Sequence, residues 1–573
     1  MTTLEKSPAS DGAPSGGDTG TQMRRHIGVV GLLFASVGSI IGSGWLFGAQ
    51  KASGIAGPAA IFSWAIGAVA IILIGLVYAE LGTMFPISGG VIRFPHLSFG
   101  SFASYTMGWV NWIAAAAVAP IEVEGALQYA SKYASFTTHD VKTDTYPLTG
   151  LGYVIAVVAM AFFVVVNYFG VRWFARVNNV AVWWKLGMII LVIVAFMTTS
   201  FHTGNFSSHG FSVGGTHAIF TAVATGGVVF SYLGFRQGVE LAGETDKPKR
   251  NVPLAVVGSV LITGVIYVLL QIAFIAAVDP KNLGTEMING KSVPGGWANL
   301  SQHITGSAGP LAAIATVIGL GWLATLLYID AVISPADTGL IYTTVTGRIS
   351  YAMAKNGNAP RALAKTTRRG VPLVSLIVTF VMGLIVFLPF PSWQQLVGFI
   401  TSATVLSFGS GPIVLAAMRR EIPDHERPFR IPFGDVIPFV AFYAANMIVI
   451  WAGWDKNWRL FVAVLLGFVV LAIFHLTDRA NMPAMQWKAG ATWALPWFAG
   501  LALISYLSSF PSPALGNTGA IPFGWDFLVV LALSVAVWMI ALKVRLPQAE
   551  VERNIEETTA EAAEEEAELG AAP

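Results

Sequence analysis

The sequence predicts an all-α polytopic membrane protein with about fourteen membrane-spanning helices. Hydrophobic residues make up 55% of its 573 positions and charged residues only 11%, whereas about a quarter of the residues of a soluble protein are charged. Apolar runs long enough to cross a bilayer recur along the whole chain. These observations exclude a soluble enzyme. Cysteine is absent, which excludes disulfides and thiolate metal sites.

Fourteen apolar runs, numbered here as spans one to fourteen, have the length of membrane-spanning helices. They cover residues 27–53, 57–85, 100–130, 149–170, 178–199, 217–242, 252–278, 309–336, 372–390, 394–418, 437–453, 459–476, 492–509 and 523–543. The polar segment 1–22 is expected to be a disordered cytoplasmic tail. The acidic segment 546–573 is expected to be a second cytoplasmic tail, either helical or disordered.

The basic residues predict the orientation of the spans. With the N-terminus in the cytoplasm, six of the 33 lysines and arginines fall outside and three lie within spans. The remaining 24 fall on the inner side, in agreement with the positive-inside rule. We therefore expect a protein of the cell membrane with both termini in the cytoplasm.

Glycine interrupts the first span near its centre. Segment 38–44 reads Gly-Ser-Ile-Ile-Gly-Ser-Gly, which is poor helix material. Non-helical backbone at this depth is tolerated only where protein covers it or where it lines a cavity. The interruption therefore indicates a binding site of the kind built from discontinuous helices.

The sixth span is interrupted in a similar way, by Thr225, Gly226 and Gly227. Two broken helices five spans apart are typical of two inverted five-helix repeats. For either segment alone, close helix packing through small residues is the alternative. The sequence thus predicts a first repeat over 23–200, a second over 217–418 and four additional helices over 437–545.

Several motifs support this arrangement by resemblance. They are segments 38–44, 78–82 (Tyr-Ala-Glu-Leu-Gly), 86–90 (Pro-Ile-Ser-Gly-Gly), 230–235 (Phe-Ser-Tyr-Leu-Gly-Phe) and 247–253 (Lys-Pro-Lys-Arg-Asn-Val-Pro). Together they resemble the amino acid–polyamine–organocation transporters, and segments 76–82, 121–123, 319–326 and 389–393 are most similar to bacterial aspartate–proton symporters. The resemblance implies a five-plus-five, LeuT-like transporter core with helices 1 and 6 broken.

An interrupted helix presents backbone groups that suit an α-amino acid. The amides of Ser43, Gly44 and Trp45 favour the carboxylate, and the carbonyls of Ile40 and Ile41 favour the ammonium group. The resemblance implies the same roles. The predicted substrate-binding residues are Ile40, Ile41, Gly42, Ser43, Gly44, Thr225, Gly226, Phe230, Tyr232 and Arg236.

Three of these residues have open alternatives. Phe230 and Tyr232 are either gating aromatics or ordinary packing residues, since the chain holds 36 phenylalanines and 18 tryptophans. Arg236 stands where many members of the family carry glutamate. Its guanidinium could hold the side-chain carboxylate of an acidic substrate. Alternatively, Glu240, one helical turn later, or Glu122 neutralises it.

Charged residues inside spans cost about 2.5–3.5 kcal/mol each and are functional candidates by default. The resemblance implies that Lys185 of span five occupies the place of a coupling sodium ion and couples proton flow to opening and closing. The alternative is a fixed ion pair with a carboxylate such as Asp330. Glu122 and Glu124 cannot share one helix face, and we expect Glu122 to face the cavity while Glu124 packs against a partner. The predicted proton-coupling residues are Lys185, Glu122 and Asp330.

The sequence therefore predicts secondary active transport, not enzymatic activity. The preferred reaction is proton-coupled symport of aspartate or glutamate by alternating access. The alternatives are a transporter or exchanger of neutral amino acids or amines, or a transporter-like amino acid sensor. The expected partners are the amino acid, protons and the lipid bilayer, and no cofactor, metal or nucleic acid is expected.

Overall fold

The computed structural model describes residues 27–570 except 88, 141, 170, 289–290, 294, 304–308, 368–370, 478–482 and 511–518. The predicted disordered tail, 1–22, lies outside the described residues. The described chain is helical apart from loops and a short antiparallel hairpin, β1 (Glu286–Ile288) and β2 (Lys291–Val293).

The helices follow the predicted spans closely. The first five spans contain α1 (Val29–Ile40), α2 (Gly44–Ala56), α3 (Ala60–Met84), α4 (Gly90–Ala116), α5 (Val118–Ala130), α6 (Gly150–Phe169) and α7 (Val171–Thr199). The next five overlap α8 (Gly215–Thr225), α9 (Gln237–Glu240), α10 (Pro248–Ala277), α12 (Pro310–Val317), α13 (Gly321–Lys355), α14 (Leu373–Val386), α15 (Trp393–Phe408) and α16 (Ser410–Glu421). The short helix α11 (Leu300–His303) lies in the loop before span eight. The remainder are α17 (Val436–Trp451), α18 (Trp454–Thr477), α19 (Trp487–Leu507), α20 (Trp525–Val544) and α21 (Gln548–Gly570).

Fewer helices than predicted spans have the length and composition of a membrane crossing. Among the described residues, ten helical stretches are long and apolar enough to cross a membrane, or eleven when the bent pair formed by α8 and the segment Phe230–Glu240 is included. Each of the fourteen predicted runs contains helix, but fourteen crossings stays a prediction. The acidic tail, which the sequence left open, is helical in α21.

Span eight differs from its predicted bounds. The run 309–336 is divided between α12 and α13, with Gly319 in the left-handed region (φ 83°) between them. The spanning helix then continues to Lys355. Apolar composition alone did not reveal the break, because the residues on both sides of Gly319 are equally hydrophobic.

The two broken helices meet at their backbones. A Cβ atom on Gly234 would lie 2.3 Å from the carbonyl carbon of Ser39 and 2.4 Å from the amide nitrogen of Ile40. A Cβ on Gly44 would lie 2.3 Å from the Ser231 hydroxyl oxygen. Such contacts leave no room for a side chain, so glycine allows the interrupted parts of spans one and six to pack directly together.

Contacts from the C-terminal part of the chain stabilise a bend within α4. Gly100 has φ 75° and ψ −170°, which breaks the helical hydrogen-bond pattern. The Ser101 amide donates to the Gln486 side-chain oxygen at 2.9 Å, and the Leu546 amide donates to the Ser98 carbonyl at 3.1 Å. Groups from α19 and from the segment before α21 therefore satisfy backbone atoms that the bend releases.

Candidate functional site

The interruption of span one consists of three residues. Helix α1 ends at Ile40 and α2 begins at Gly44. Ile41 has φ −88° and ψ 84°, outside the helical region, and the Gly42 amide turns back to the Ile40 carbonyl at 3.2 Å. The first amides of α2 have no acceptor within their own helix, so they point towards the gap between the two halves.

The interruption of span six begins after Thr225. Gly227 adopts φ 83°, a conformation that glycine reaches without strain. The chain then resumes as a 3-10 helix over Phe230–Arg236, and the two halves are bent by 46°. The Thr225 hydroxyl donates to the Thr221 carbonyl of its own helix at 2.8 Å.

A cavity lies between the two breaks and the helices of spans three, eight and ten. Its lining residues are Ser39, Ile40, Ala115, Val118, Glu122, Phe230, Leu233, Arg236, Thr338, Tyr342 and Thr404. The empty space is about 340 Å³, but only about 10 Å³ is open to the centre of a water molecule, which is room for about one water. This is a contracted site that must widen before an amino acid enters.

Four predicted residues line this cavity: Ile40, Phe230, Arg236 and Glu122. Tyr232 does not. Its hydroxyl donates to the Trp64 carbonyl at 3.3 Å, and its ring stands edge-on to the Trp64 ring. In this conformation the Tyr232 ring packs between Trp64 of α3 and Tyr267 of α10, which fits the alternative of a packing residue.

Protein groups already engage the backbone of the first break. The Tyr267 hydroxyl donates to the Ile40 carbonyl at 3.2 Å, and the Thr338 hydroxyl donates to the Ile41 carbonyl at 3.3 Å. The Ser43 amide donates to Oε2 of Glu122 at 2.6 Å. A carboxylate of the protein therefore occupies part of the position predicted for a substrate carboxylate.

An aromatic layer separates this cavity from a second one. The Trp393 indole donates from Nε1 to the Ser43 hydroxyl at 2.9 Å. Its ring centroid lies 4.9 Å from that of Phe47 and 6.1 Å from that of Phe230. The second cavity has about 640 Å³ of empty space and includes Lys51 and Gln394 in its wall. Trp393 lines it as well, so this ring lies between the two spaces.

The second cavity lies on the side predicted to be extracellular, and a charged pair borders it. Lys51 lies 3.3 Å from Asp144, and His139 lies 3.3 Å from the other oxygen of the same carboxylate. Partial burial favours the neutral acid, but the hydrogen bond from His139 and the charge of Lys51 outweigh it and hold the pKa of Asp144 well below its usual range.

Arg236 is buried in the cavity wall and contacts a carboxylate, an amide and two aromatic rings. Its Nε donates to Oε1 of Glu240 at 2.9 Å, and Nη2 lies 2.8 Å from the same oxygen. Nη1 donates to the Asn111 side-chain oxygen at 2.9 Å. The rings of Tyr342 and Phe408 lie within 6 Å of the guanidinium. In this conformation Glu240, not Glu122, neutralises Arg236.

Lys185 joins three helices at one buried point. Its ammonium donates to the Gly38 carbonyl of α1 at 2.9 Å and to the Thr338 hydroxyl of α13 at 3.1 Å. Its ion-pair partner is Asp337, at 2.7 Å. Asp330, the partner considered from the sequence, instead accepts hydrogen bonds from Trp184 and Ser334.

Glu124 has no hydrogen-bond partner among the described residues, although it is buried. The sequence predicted that it would pack against one, and the structure differs on this point. Glu122, two residues earlier in the chain, lines the cavity. The described residues also contain no group of histidine and acidic side chains that could hold a metal ion.

The comparison with known proteins identifies the family. The model for amino acid permeases matches residues 27–470. The chain belongs to the amino acid permease family. The fold class predicted from the two broken helices is thereby confirmed, and the permease is a transport protein rather than an enzyme.

Individual relatives of the permease are also amino acid transporters. The glutamate/serine transporter AimA of Bacillus subtilis (strain 168) is 35% identical over 528 residues, which cover 91% of this chain and 94% of that protein. The aspartate-proton symporter of the same organism is 32% identical, with 92% and 98% covered. The branched-chain amino acid permease BcaP of the same organism is 23% identical, with 79% and 93% covered.

Asp337, Trp393 and Asn111 are among the site residues that were not predicted. Asn111 is a polar residue within the apolar span 100–130, a signal that the sequence offers. Asp337 follows the predicted end of span eight, 309–336, by one residue, although the helix itself continues to Lys355. Trp393 carries no such signal, because it is one of 18 tryptophans and reaches the break through its ring.

Proposed function

We propose that this permease is a secondary active transporter that carries an acidic amino acid, aspartate or glutamate, together with protons by alternating access. The observation that carries the proposal is the buried guanidinium of Arg236 in the wall of the cavity between the two broken helices. The names of the two relatives above 30% identity, a glutamate/serine transporter and an aspartate-proton symporter, support the same substrate class.

The backbone of the two breaks recognises the groups that all amino acids share. The α-carboxylate binds at the start of α2, where the Ser43 and Gly44 amides and the helix dipole favour an anion. The ammonium group binds the carbonyls of Ile40 and Ile41 once Tyr267 and Thr338 release them. These interactions fix the orientation of the substrate but leave its side chain free.

Arg236 selects the side chain. The substrate carboxylate replaces Glu240 on one edge of the guanidinium and forms a bidentate pair. Asn111 and the two aromatic rings keep the guanidinium in place during this exchange. A polyamine, which is cationic, is disfavoured at this wall.

Protons enter the cycle through buried carboxylates and Lys185. Glu122 leaves the Ser43 amide when it is protonated, and this vacates the position for the α-carboxylate. Lys185 responds by changing its bonds to α1 and α13. Asp330 of α13, which accepts hydrogen bonds from Trp184 and Ser334, is a third candidate for proton transfer.

A transporter of neutral amino acids is the second candidate, and one observation favours it. Glu240 already neutralises Arg236 at 2.8 Å, so a substrate without a charged side chain needs no further partner there. Serine also stands beside glutamate in the name of one relative.

The orientation follows from the distribution of lysine and arginine. We place both termini in the cytoplasm, in a bacterial-type plasma membrane, so that most basic residues of the loops face inwards. Trp393 and the second cavity then lie on the extracellular side.

Uptake by proteoliposomes tests the proposal. Vesicles with the full chain are given a panel of labelled amino acids, with and without an inside-alkaline pH gradient. We expect aspartate or glutamate to accumulate only with the gradient, and a sensor would not accumulate any of them. Arg236→Gln should reduce uptake of acidic substrates more than uptake of serine, whereas Arg348→Gln, an exposed arginine, should change neither. Accumulation of neutral amino acids alone would favour the second candidate.

A further inference from the structure

Asp337 is the acidic partner in a buried ion pair. Its carboxylate oxygen lies 2.7 Å from the ammonium of Lys185, and the two side chains are 6% and 0% exposed. At this depth, removing one partner of an ion pair leaves an uncompensated charge. The two residues therefore behave as one unit rather than as two independent groups.

The ammonium of Lys185 has three oxygen neighbours in this arrangement. It donates hydrogen bonds to the Gly38 carbonyl and the Thr338 hydroxyl, and it forms an ion pair with Asp337. The first acceptor belongs to α1 and the other two to α13, while the lysine belongs to α7. The pair thus connects a broken helix of the site to two helices of its surroundings.

The ammonium of Lys185 is already protonated and cannot accept another proton, but the carboxylate beside it can. When a proton from solvent binds to an oxygen of Asp337, a new O–H bond forms and the pair changes from neutral to positive. The ion pair is then lost, and the lysine is held only by two neutral acceptors. The same proton returns to water when the pair forms again.

We propose that Asp337 is a proton-binding residue of the transport cycle, which loosens the joint between α1, α7 and α13 when it is protonated by breaking its pair with Lys185. This inference rests on the proposed proton coupling. It assigns to a specific carboxylate the proton that the lysine alone cannot take up in the conformation described here.

Two other carboxylates lie close enough to interact electrostatically with Lys185: Glu122 of α5 and Asp330 of α13. Glu122 is bound by Ser43 and Asp330 by Trp184 and Ser334. Of these three carboxylates, Asp337 is the one that forms an ion pair with Lys185.

The test compares two activities of Asp337→Asn in proteoliposomes that contain the full chain. The first is accumulation of labelled glutamate and aspartate under an inside-alkaline gradient of one pH unit, which supports about tenfold accumulation for one proton per substrate. The second is exchange of labelled for unlabelled substrate at equal pH. We expect the variant to lose accumulation and to retain exchange, with an exchange rate that depends on pH less steeply than that of the unmodified protein.

Two further variants separate a coupling role from a structural one. Asp337→Glu keeps a carboxylate and should restore part of the accumulation. Asp526→Asn removes an equally buried aspartate from α20, outside the site, and should leave both activities intact.

Each outcome decides the proposal. Accumulation by Asp337→Asn with an unchanged pH profile would overturn it. Loss of both activities without rescue by Asp337→Glu would also overturn it, because the residue would then be structural. If the unmodified protein exchanges substrates but never accumulates them, the proton coupling of the proposed function fails instead.

Discussion

The carboxylate of Glu122 accepts a 2.6 Å hydrogen bond from the Ser43 amide, at the point where α2 begins. A Cβ atom on Gly42 would lie 2.6 Å from the other oxygen of this carboxylate. Glycine at position 42 therefore admits an acid from α5 to the start of a half-helix. The site carries its own anion where the substrate needs to place one.

Substitution of Glu122 tests this competition. In the unmodified protein, substrate affinity should fall as pH rises, because the ionised carboxylate holds the Ser43 amide more strongly than the neutral acid does. Glu122→Gln should bind acidic substrates with an affinity that no longer depends on pH. At high pH it should bind about fivefold more tightly than the unmodified protein, since a charged acceptor is stronger than a neutral one by about 1 kcal/mol.

Equilibrium binding of labelled substrate to the purified protein across a pH series measures this effect. Glu124→Gln is the matched control, since it removes a buried carboxylate two residues further along α5 and outside the cavity lining. A pH-dependent affinity in Glu122→Gln that equals that of the unmodified protein would contradict the competition.

A methyl group at position 234 should prevent the two broken helices from meeting. Gly234→Ala places a Cβ against the backbone of Ser39 and Ile40, which cannot move aside as a side chain would. We expect a loss of about 1–3 kcal/mol of stability, with a lower melting temperature in detergent and no uptake. Gly187→Ala, where no atom lies within 4 Å of the added Cβ, should melt like the unmodified protein. Equal melting temperatures for the two variants would show that the close approach is unimportant.

Trp393→Ala should connect the two cavities. The indole ring contacts both Phe47 and Phe230, and its loss removes most of the layer between them. Because the natural chain has no cysteine, Thr404→Cys provides a single thiol in the cavity lining. We expect a membrane-impermeant thiol reagent added from outside to label this cysteine faster in the Trp393→Ala background. Ala445→Cys, buried in α17, should stay unlabelled, and equal labelling of Thr404→Cys in both backgrounds would rule out a barrier at Trp393.

The inner end of α3 should depend on a buried ion pair. Glu80 accepts two hydrogen bonds from the Arg419 guanidinium, at 3.1 and 2.6 Å, and another from the Ile431 amide. Glu80→Gln removes the closer of two carboxylates beside Arg419, the other being Asp435 at 3.3 Å, and should cost about 1.5–3 kcal/mol, the range for hydrogen bonds between charged groups. Lys249→Gln breaks an exposed pair with Glu426 and should cost less than about 1 kcal/mol. Thermal unfolding in detergent compares the two, and similar melting temperatures would contradict the assignment.

The sequence predicted what depends on local chemistry. Glycine clusters marked both breaks because few residues tolerate non-helical backbone within a membrane. The Arg236–Glu240 pair was one of the alternatives that the sequence offered, because the two residues are one helical turn apart. The choice between Phe230 and Tyr232 was not available from the sequence, because it depends on how the 3-10 helix is rotated against its neighbours.

The sequence did not show which residues of different helices lie at the same depth in the membrane. Asp330 and Asp337 are seven residues apart and so lie on the same helix face, about 10 Å apart along the axis. Which of them meets Lys185 depends on where the spanning helix begins. The break at Gly319, which the apolar run concealed, changes that starting point.

Because α4 bends at Gly100, its folding depends on contacts with later segments of the chain. Gln486 and Leu546 complete the backbone of the helix that leads to Asn111 and, through α5, to Glu122. Gln486 follows Ser101 by 385 residues, so this helix remains incomplete until those later segments have been synthesised. A ten-helix core obtained by truncation would lack these two hydrogen bonds. A minimal version of the protein would therefore require a redesigned third span.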